Sequence, residues 1–213
     1  MTSCLVVFDV DSTLIDDEVI ELIAERAGTR DEVAAITESA MRGELDFSQS
    51  LRARVATLSG VPLTVFQDVL AQISVTNGVV ETIATIHALG GKVAAVSGGF
   101  HEVLDALAER LDLDYWRANR LVNADGVLTG EVDGPIIDAQ AKADALQEWA
   151  ALEGLDLFRV IAVGDGANDL KMMEIAGASV AFCAKPIVNE RADEVISTRD
   201  MRLLIPIVEI TRA

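Results

Sequence analysis

The stretch Leu5-Val6-Val7-Phe8-Asp9-Val10-Asp11-Ser12-Thr13 decides how the rest of the chain is read. Four apolar residues in succession, without polar alternation, match a strand covered on both faces, as in a parallel sheet flanked by helices. Asp9 then falls at the C-terminal end of that strand, the edge at which open α/β sheets bind ligands. Asp9 and Asp11 are two positions apart, so their carboxylates stay close in a strand or a turn, and such a pair needs a cation, a shared proton or solvent. Asp and Ser also mark ordinary turns after strands, and the dipeptide spacing alone leaves both readings open.

Beyond Thr13 the pattern becomes helical. Val19, Ile20, Ile23 and Ala27 recur at three- and four-residue steps and Gly28 supplies a stop. Helices are also expected at 30–42, 47–59 and 64–73, and Asp46 with Gln49 and Thr64 with Gln67 have capping-box spacing for the last two. Nothing between about 15 and 75 reads as a buried strand, so this region is expected to be an all-helical cap inserted into a core formed by 1–14 and 76–213.

Helix and strand alternate from there on: helix 79–89, strand 92–96 running into Ser97-Gly98-Gly99, and helix 101–111. A small β-hairpin, expected at a sheet edge, follows between Asn119 and Val132 around Ala124-Asp125-Gly126. Helix 139–153, strand 160–163, the loop Gly164-Asp165-Gly166-Ala167-Asn168-Asp169, helix 169–176, strands at 179–182 and 194–197 and a helix over 200–210 complete the pattern. The alternation predicts a doubly wound, mostly parallel α/β sheet.

The chain has 213 residues, 51% of them hydrophobic, enough for one large domain or a core with an insertion. Seventeen Lys and Arg against 35 Asp and Glu leave a net charge of −18. That field repels nucleic acid and anionic membranes and favours cations. An anionic small-molecule substrate needs local positive groups, which makes Lys142 and Arg54 informative. Cys4 and Cys183 stand in apolar surroundings and read as core thiols rather than a disulfide framework. With neither an export leader nor an apolar run long enough for a span, a cytoplasmic protein is expected.

Three predicted strands end in loops rich in Asp, Ser and Gly: Asp9-Val10-Asp11, Ser97-Gly98-Gly99 and Gly164 to Asp169. In a parallel sheet these ends share an edge, so Asp9, Asp11, Asp165 and Asp169 converge, and carboxylates so gathered make sense around a hard cation such as Mg²⁺. Ser97 and the amides of Gly98 and Gly99 precede a helix, which suits a phosphate group, and Lys142 adds a point charge. Singly, Ser-Gly-Gly is an ordinary turn and Lys142 an ordinary solvated residue.

In this order, Asp-x-Asp-x-Thr, Ser-Gly-Gly, Lys and Gly-Asp-Gly-x-Asn-Asp resemble the haloacid dehalogenase superfamily of phosphotransferases. A narrower resemblance, to its branch acting on O-phosphoserine, is carried by Phe8 to Leu14, Glu18, Ser50 to Val55, Val96 to Phe100, Ala118 to Leu121, Gly164 to Asp169 and Ala181 to Pro186. It implies that Asp9 is the nucleophile and Asp11 the general acid and base. It further implies that Asp9, the backbone carbonyl of Asp11 and Asp165 hold Mg²⁺, and that Ser97, Gly98 and Lys142 bind the phosphoryl group. Asn168 and Asp169 would orient substrate, Lys142 and metal waters. Glu18 and Arg54 would read the substrate's ammonium and carboxylate, although from the residues alone a helix-start Glu and a solvated Arg are the better explanation. Met41 and Phe47 are candidates for an apolar lid or for core packing. The resemblance begins at the catalytic strand, so serine feedback through a separate N-terminal module is not implied. Transfer of phosphate to homoserine, hydrolysis of another small phosphomonoester, and a receiver-like phosphoaspartate signalling module are the competing readings.

Overall fold

The computed structural model describes residues 2–211, without the side chain of Met41. Its centre is β1 (Leu5–Phe8), in which Val6 and Phe8 enter one hydrophobic cluster and Leu5 and Val7 the other. Period-two alternation thus buries both faces of an unbroken apolar run. After Phe8 the chain turns through Val10–Leu14, where Ser12 takes a positive φ of 57°.

Four helices follow with no strand between them: α1 (Val19–Ala27), α2 (Arg30–Met41), α3 (Phe47–Ala56) and α4 (Val65–Gln72). Gly28 ends α1 in the left-handed conformation, and Asp46 with Gln49 forms the expected capping box on α3. The box expected at Thr64 is absent. Thr64 is itself helical, at φ −60° and ψ −20°, and makes no side-chain cap bond, whereas an N-cap requires extended backbone.

Where the chain enters and leaves this helical region, Ile15 and Val75 form an antiparallel bridge. Thr76 Oγ1 donates to Asp16 Oδ1 at 3.0 Å. Arg199 pairs with Asp16 and donates to the carbonyls of Ser12 and Ile15 at 3.1 and 3.3 Å. The turn after β1 is thereby tied down from a distant part of the chain.

The remainder alternates: α5 (Val79–Ala88), β2 (Lys92–Phe100), α6 (His101–Leu111), β3 (Tyr115–Ala124), β4 (Val127–Asp133), α7 (Ala139–Leu152), β5 (Val160–Gly164), α8 (Leu170–Ile175), β6 (Ala178–Phe182), α9 (Pro186–Asn189), β7 (Glu194–Ile196) and α10 (Ile205–Thr211). The seven strands lie in the order β4-β3-β2-β1-β5-β6-β7, parallel except for the β3–β4 hairpin at one edge. This is the doubly wound sheet that the alternation predicts. Several boundaries move: β2 stays extended through Ser97-Gly98-Gly99, β3 starts at Tyr115 because it first pairs with β2, α3 stops at Ala56, and the helix expected over 200–210 is a 3-10 turn, Met201–Leu204, followed by α10.

The hairpin also grips the helical region. Gly60 N–H donates to Leu128 O, Leu128 N–H to Val61 O and Leu63 N–H to Gly126 O, at 2.8 to 3.0 Å. No helix among the described residues is long and apolar enough to cross a membrane.

Candidate active site

The C-terminal ends of β1, β2 and β5 lie side by side at the middle of the sheet, and each delivers part of one cluster. Asp9 follows β1 directly. Asp165 follows β5, and Asp169 closes the short turn Ala167–Asp169. Asp9, Asp165 and Asp169 each present a carboxylate oxygen, all within 4.8 Å of one another. Asp169 also accepts the N–H groups of Asp165 and Gly166 at 3.2 and 3.0 Å. A side chain at Gly164 would collide with the Asp169 carboxylate, so the close return of this loop requires glycine there.

Lys142, in the first turn of α7, is wholly buried and points its ammonium between two of these groups. It donates to Asp9 Oδ1 at 2.5 Å and to Asp169 Oδ1 at 2.7 Å. Burial alone would pull its pKa down, but Asp169 and Asp9 hold it above the ordinary lysine range. Asp9 is pushed well up, first by burial and then by Asp169, against the pull of Lys142. Asp165 rises to about 6 through burial and Asp169, with Lys185 drawing it back. Three acidic groups held this close, Asp9 and Asp169 buried and Asp165 half-buried, are a hard, all-oxygen donor set, and their mutual repulsion is what a divalent cation relieves.

The Asp11 carboxylate turns away from this trio. Its Oδ1 accepts the N–H of Val19 at 2.9 Å and its Oδ2 accepts the Ser97 hydroxyl at 3.3 Å. Burial, with Glu18 nearby, raises it to about 7, in the range where a carboxyl exchanges protons near neutrality. Ser97 in turn accepts the N–H of Gly99 at 2.8 Å. Of the two amides read from the sequence as anion donors, that of Gly99 is therefore engaged within the loop.

A cavity of about 650 Å³ opens over the cluster. Its core side carries Asp9, Asp11, Gly98, Asp165 and Asn168, and its helical side Glu18, Phe47 and Arg54. Glu18 accepts the Ser12 hydroxyl at 2.8 Å. Arg54, half-buried on α3, donates to Ser50 O at 3.4 Å and faces Glu18 and Asp11. The Phe47 ring lies so near the Gly98 Cα that a β-carbon on Gly98 would stand 2.9 Å from its Cζ. Whether Met41 joins it lies outside the described residues.

The Asp169 carboxylate, which the resemblance assigns to orienting Lys142 and metal waters, lies within 4.8 Å of those of Asp9 and Asp165, so that the three together could hold a cation. Lys185, which lines the cavity beyond β6, has no role in the sequence reading. Its signal was a basic residue just after an apolar strand.

The family model for haloacid dehalogenase-like hydrolases matches residues 6–174. The chain belongs to the haloacid dehalogenase-like hydrolases. Within them it is similar to the phosphoserine phosphatase of Lactococcus lactis subsp. lactis, at 49% identity over 96% of this chain and 95% of that one. Among solved structures, it is similar to a phospho-aspartyl intermediate analogue of phosphoserine phosphatase, with a TM-score of 0.91, 44% identity and coverage of 98% of this chain and 100% of that one. A substrate-bound phosphoserine phosphatase complex aligns with a TM-score of 0.92, 44% identity and coverage of 98% and 99%. For a haloacid dehalogenase-like hydrolase, the arrangement supplies a carboxylate at the sheet edge, a fixed positive charge beside it and a second carboxyl able to carry a proton.

Proposed function

We propose that the protein hydrolyses O-phosphoserine to L-serine and phosphate through an aspartyl phosphate formed on Asp9. The observation that carries this reading is that a single cavity has the carboxylate cluster on one side and the Glu18–Arg54 pair on the other. That spacing suits a small molecule with a phosphate at one end and an ammonium and a carboxylate at the other. Its similarity to phosphoserine phosphatases over nearly the whole chain supports the same substrate. In this reading 15–75 form a cap on a core of 1–14 and 76–213, and the cytoplasmic setting expected from composition is retained.

Mg²⁺ is assigned to Asp9, Asp165 and the backbone carbonyl of Asp11, with the Asp169 carboxylate beside them. When bound, it would offset the carboxylate charges and polarise the phosphoryl oxygens. In the first displacement a carboxylate oxygen of Asp9 bonds to phosphorus while the bond to the seryl oxygen breaks. The electron pair leaves on that oxygen, and Asp11 gives it a proton. In the second, water attacks phosphorus, Asp11 takes the proton, and the bond to Asp9 breaks to free phosphate. Ser97, Gly98 and Lys142 hold the non-bridging oxygens where charge spreads in the transition state. Asn168 orients the substrate and Asp169 orients Lys142. Arg54 binds the carboxylate and Glu18 the ammonium.

The test is phosphate release from a panel of phosphomonoesters, with Mg²⁺ and after chelation. Phosphoserine should lead the panel and chelation should abolish turnover. Equal turnover of a sugar phosphate at matched concentration would overturn the substrate, and labelled phosphoenzyme on Asp9→Asn would overturn the nucleophile.

A further inference from the structure

Asn119 occupies a junction that none of the roles above explains. It sits on β3 opposite Phe100, just past a break in the β2–β3 pairing between Val96 and Phe100. The break leaves Ser97-Gly98-Gly99 without regular ladder partners on that side. Two successive glycines have wide backbone freedom, so something other than the ladder must define their path. The Asn119 side chain, only 1% exposed, does so with both ends of its amide. Nδ2 donates to the carbonyls of Gly98 and Gly99 at 2.9 and 3.2 Å, while Oδ1 accepts the N–H of Ile137 at 2.8 Å.

Ile137 directly precedes Asp138, which caps α7 by accepting the N–H groups of Gln140 and Ala141. Lys142 lies in that first turn, its N–H donating to Asp138 O at 3.0 Å. One buried amide therefore fastens the Ser97–Gly99 segment to the start of the helix that carries Lys142. Hydrogen bonds of this kind, fully satisfied and away from water, hold their partners rigidly, and leaving them unmade is costly.

We propose that Asn119 is a positioning residue that sets the spacing between the Ser97–Gly98 donors and Lys142, and hence the grip on a phosphoryl group. This rests on the assignment of Ser97, Gly98 and Lys142 to the phosphoryl site. Aspartate at this position keeps the shape and the acceptor for Ile137 but turns a donor toward two carbonyls into a repelling oxygen. Alanine removes all three bonds.

The experiment compares Asn119→Asp and Asn119→Ala with the unaltered full chain, each with Mg²⁺. Two phosphate-end readouts are the KM for phosphoserine and the Kd for inorganic phosphate, the latter from thermal shift and so independent of turnover. A third, the ratio of kcat/KM for phosphoserine to that for phosphoethanolamine, reports on the Arg54 end. Both variants should weaken phosphate binding and raise KM by about tenfold to a hundredfold, with the substrate ratio unchanged. A fall in kcat alone, with KM and the phosphate Kd as in the parent, would make Asn119 merely structural and overturn the proposal. Failure of both variants to fold would overturn it in the same way. Absence of turnover in the unaltered chain would instead count against the phosphatase reading, and the phosphate Kd would still decide the role of Asn119.

Discussion

Lys142 Nζ stands 2.7 Å from Asp169 Oδ1, and neither side chain is exposed at all. A charge placed there without its partner has no water to turn to, so the pair is tied to both folding and chemistry.

Lys142→Met should cost about 3–5 kcal/mol by leaving Asp9 and Asp169 uncompensated, a fall in Tm of roughly 6–20 °C for a chain of this size. It should also lower kcat by about 10²- to 10³-fold, the usual effect of deleting one charge-stabilising donor. Lys142→Arg should not rescue activity, because a planar fork does not fit where a point charge is enclosed. Thermal melts and steady-state kinetics check both effects, and full activity in Lys142→Met would remove it from the phosphoryl site.

Carboxylates within 4.8 Å of one another predict stabilisation by a divalent cation. At a hundredfold excess over Kd, Mg²⁺ should add about 2.7 kcal/mol, or roughly 5–11 °C in Tm, and EDTA should reverse it. Asp165→Asn should lose most of that gain. An equal Mg²⁺ shift in parent and variant would place the ion elsewhere.

Arg54 faces the cavity from α3. Arg54→Ala should remove one charge-assisted interaction, about 1.5–3 kcal/mol, and so lower kcat/KM for phosphoserine about 10- to 150-fold. Phosphoethanolamine, which lacks the carboxylate, should lose little. The same loss on both substrates would mean that Arg54 holds the helical region in place and does not read the carboxylate.

Glu102, in the first turn of α6, gives a prediction about stability and pH. Its Oε1 accepts the N–H of Leu121 at 3.1 Å, and its Oε2 is buried with no hydrogen-bond partner among the described residues. Burial raises its pKa against the pull of its backbone bonds and of Arg120. The folded state therefore holds this proton more tightly than the unfolded one. The stabilisation is complete below the unfolded value, near 4.3, and fades as pH rises through the folded value. Glu102→Gln should match the parent most closely near pH 4 and gain on it toward pH 8. Urea melts across that range provide the check, and a difference independent of pH would refute it.

Residues 5–8 by themselves determined the central strand, because an apolar run that short has nowhere stable to go except between two layers of helices. The same local physics placed Asp9 and Asp165 directly after their strands, while Ser97 lies within the last part of β2, and helical periodicity marked out α1 to α4. What only the tertiary structure decided are relations across long stretches of chain. Asp169 swings its carboxylate into the cluster because the amides of Asp165 and Gly166 and the ammonium of Lys142 hold it there. Spacing in sequence does not specify that rotation. Lys142, which reads as a solvated residue on its own helix, is fully buried because Asp9, 133 positions away, and Asp169 compensate its charge. The clasp of the hairpin on the loop between α3 and α4, and the Asn119 amide that replaces missing rungs of the β2–β3 ladder, are likewise invisible locally. Backbone and amide groups carry no pattern in the sequence that names their partners, and those partners exist only once the sheet has brought the segments together.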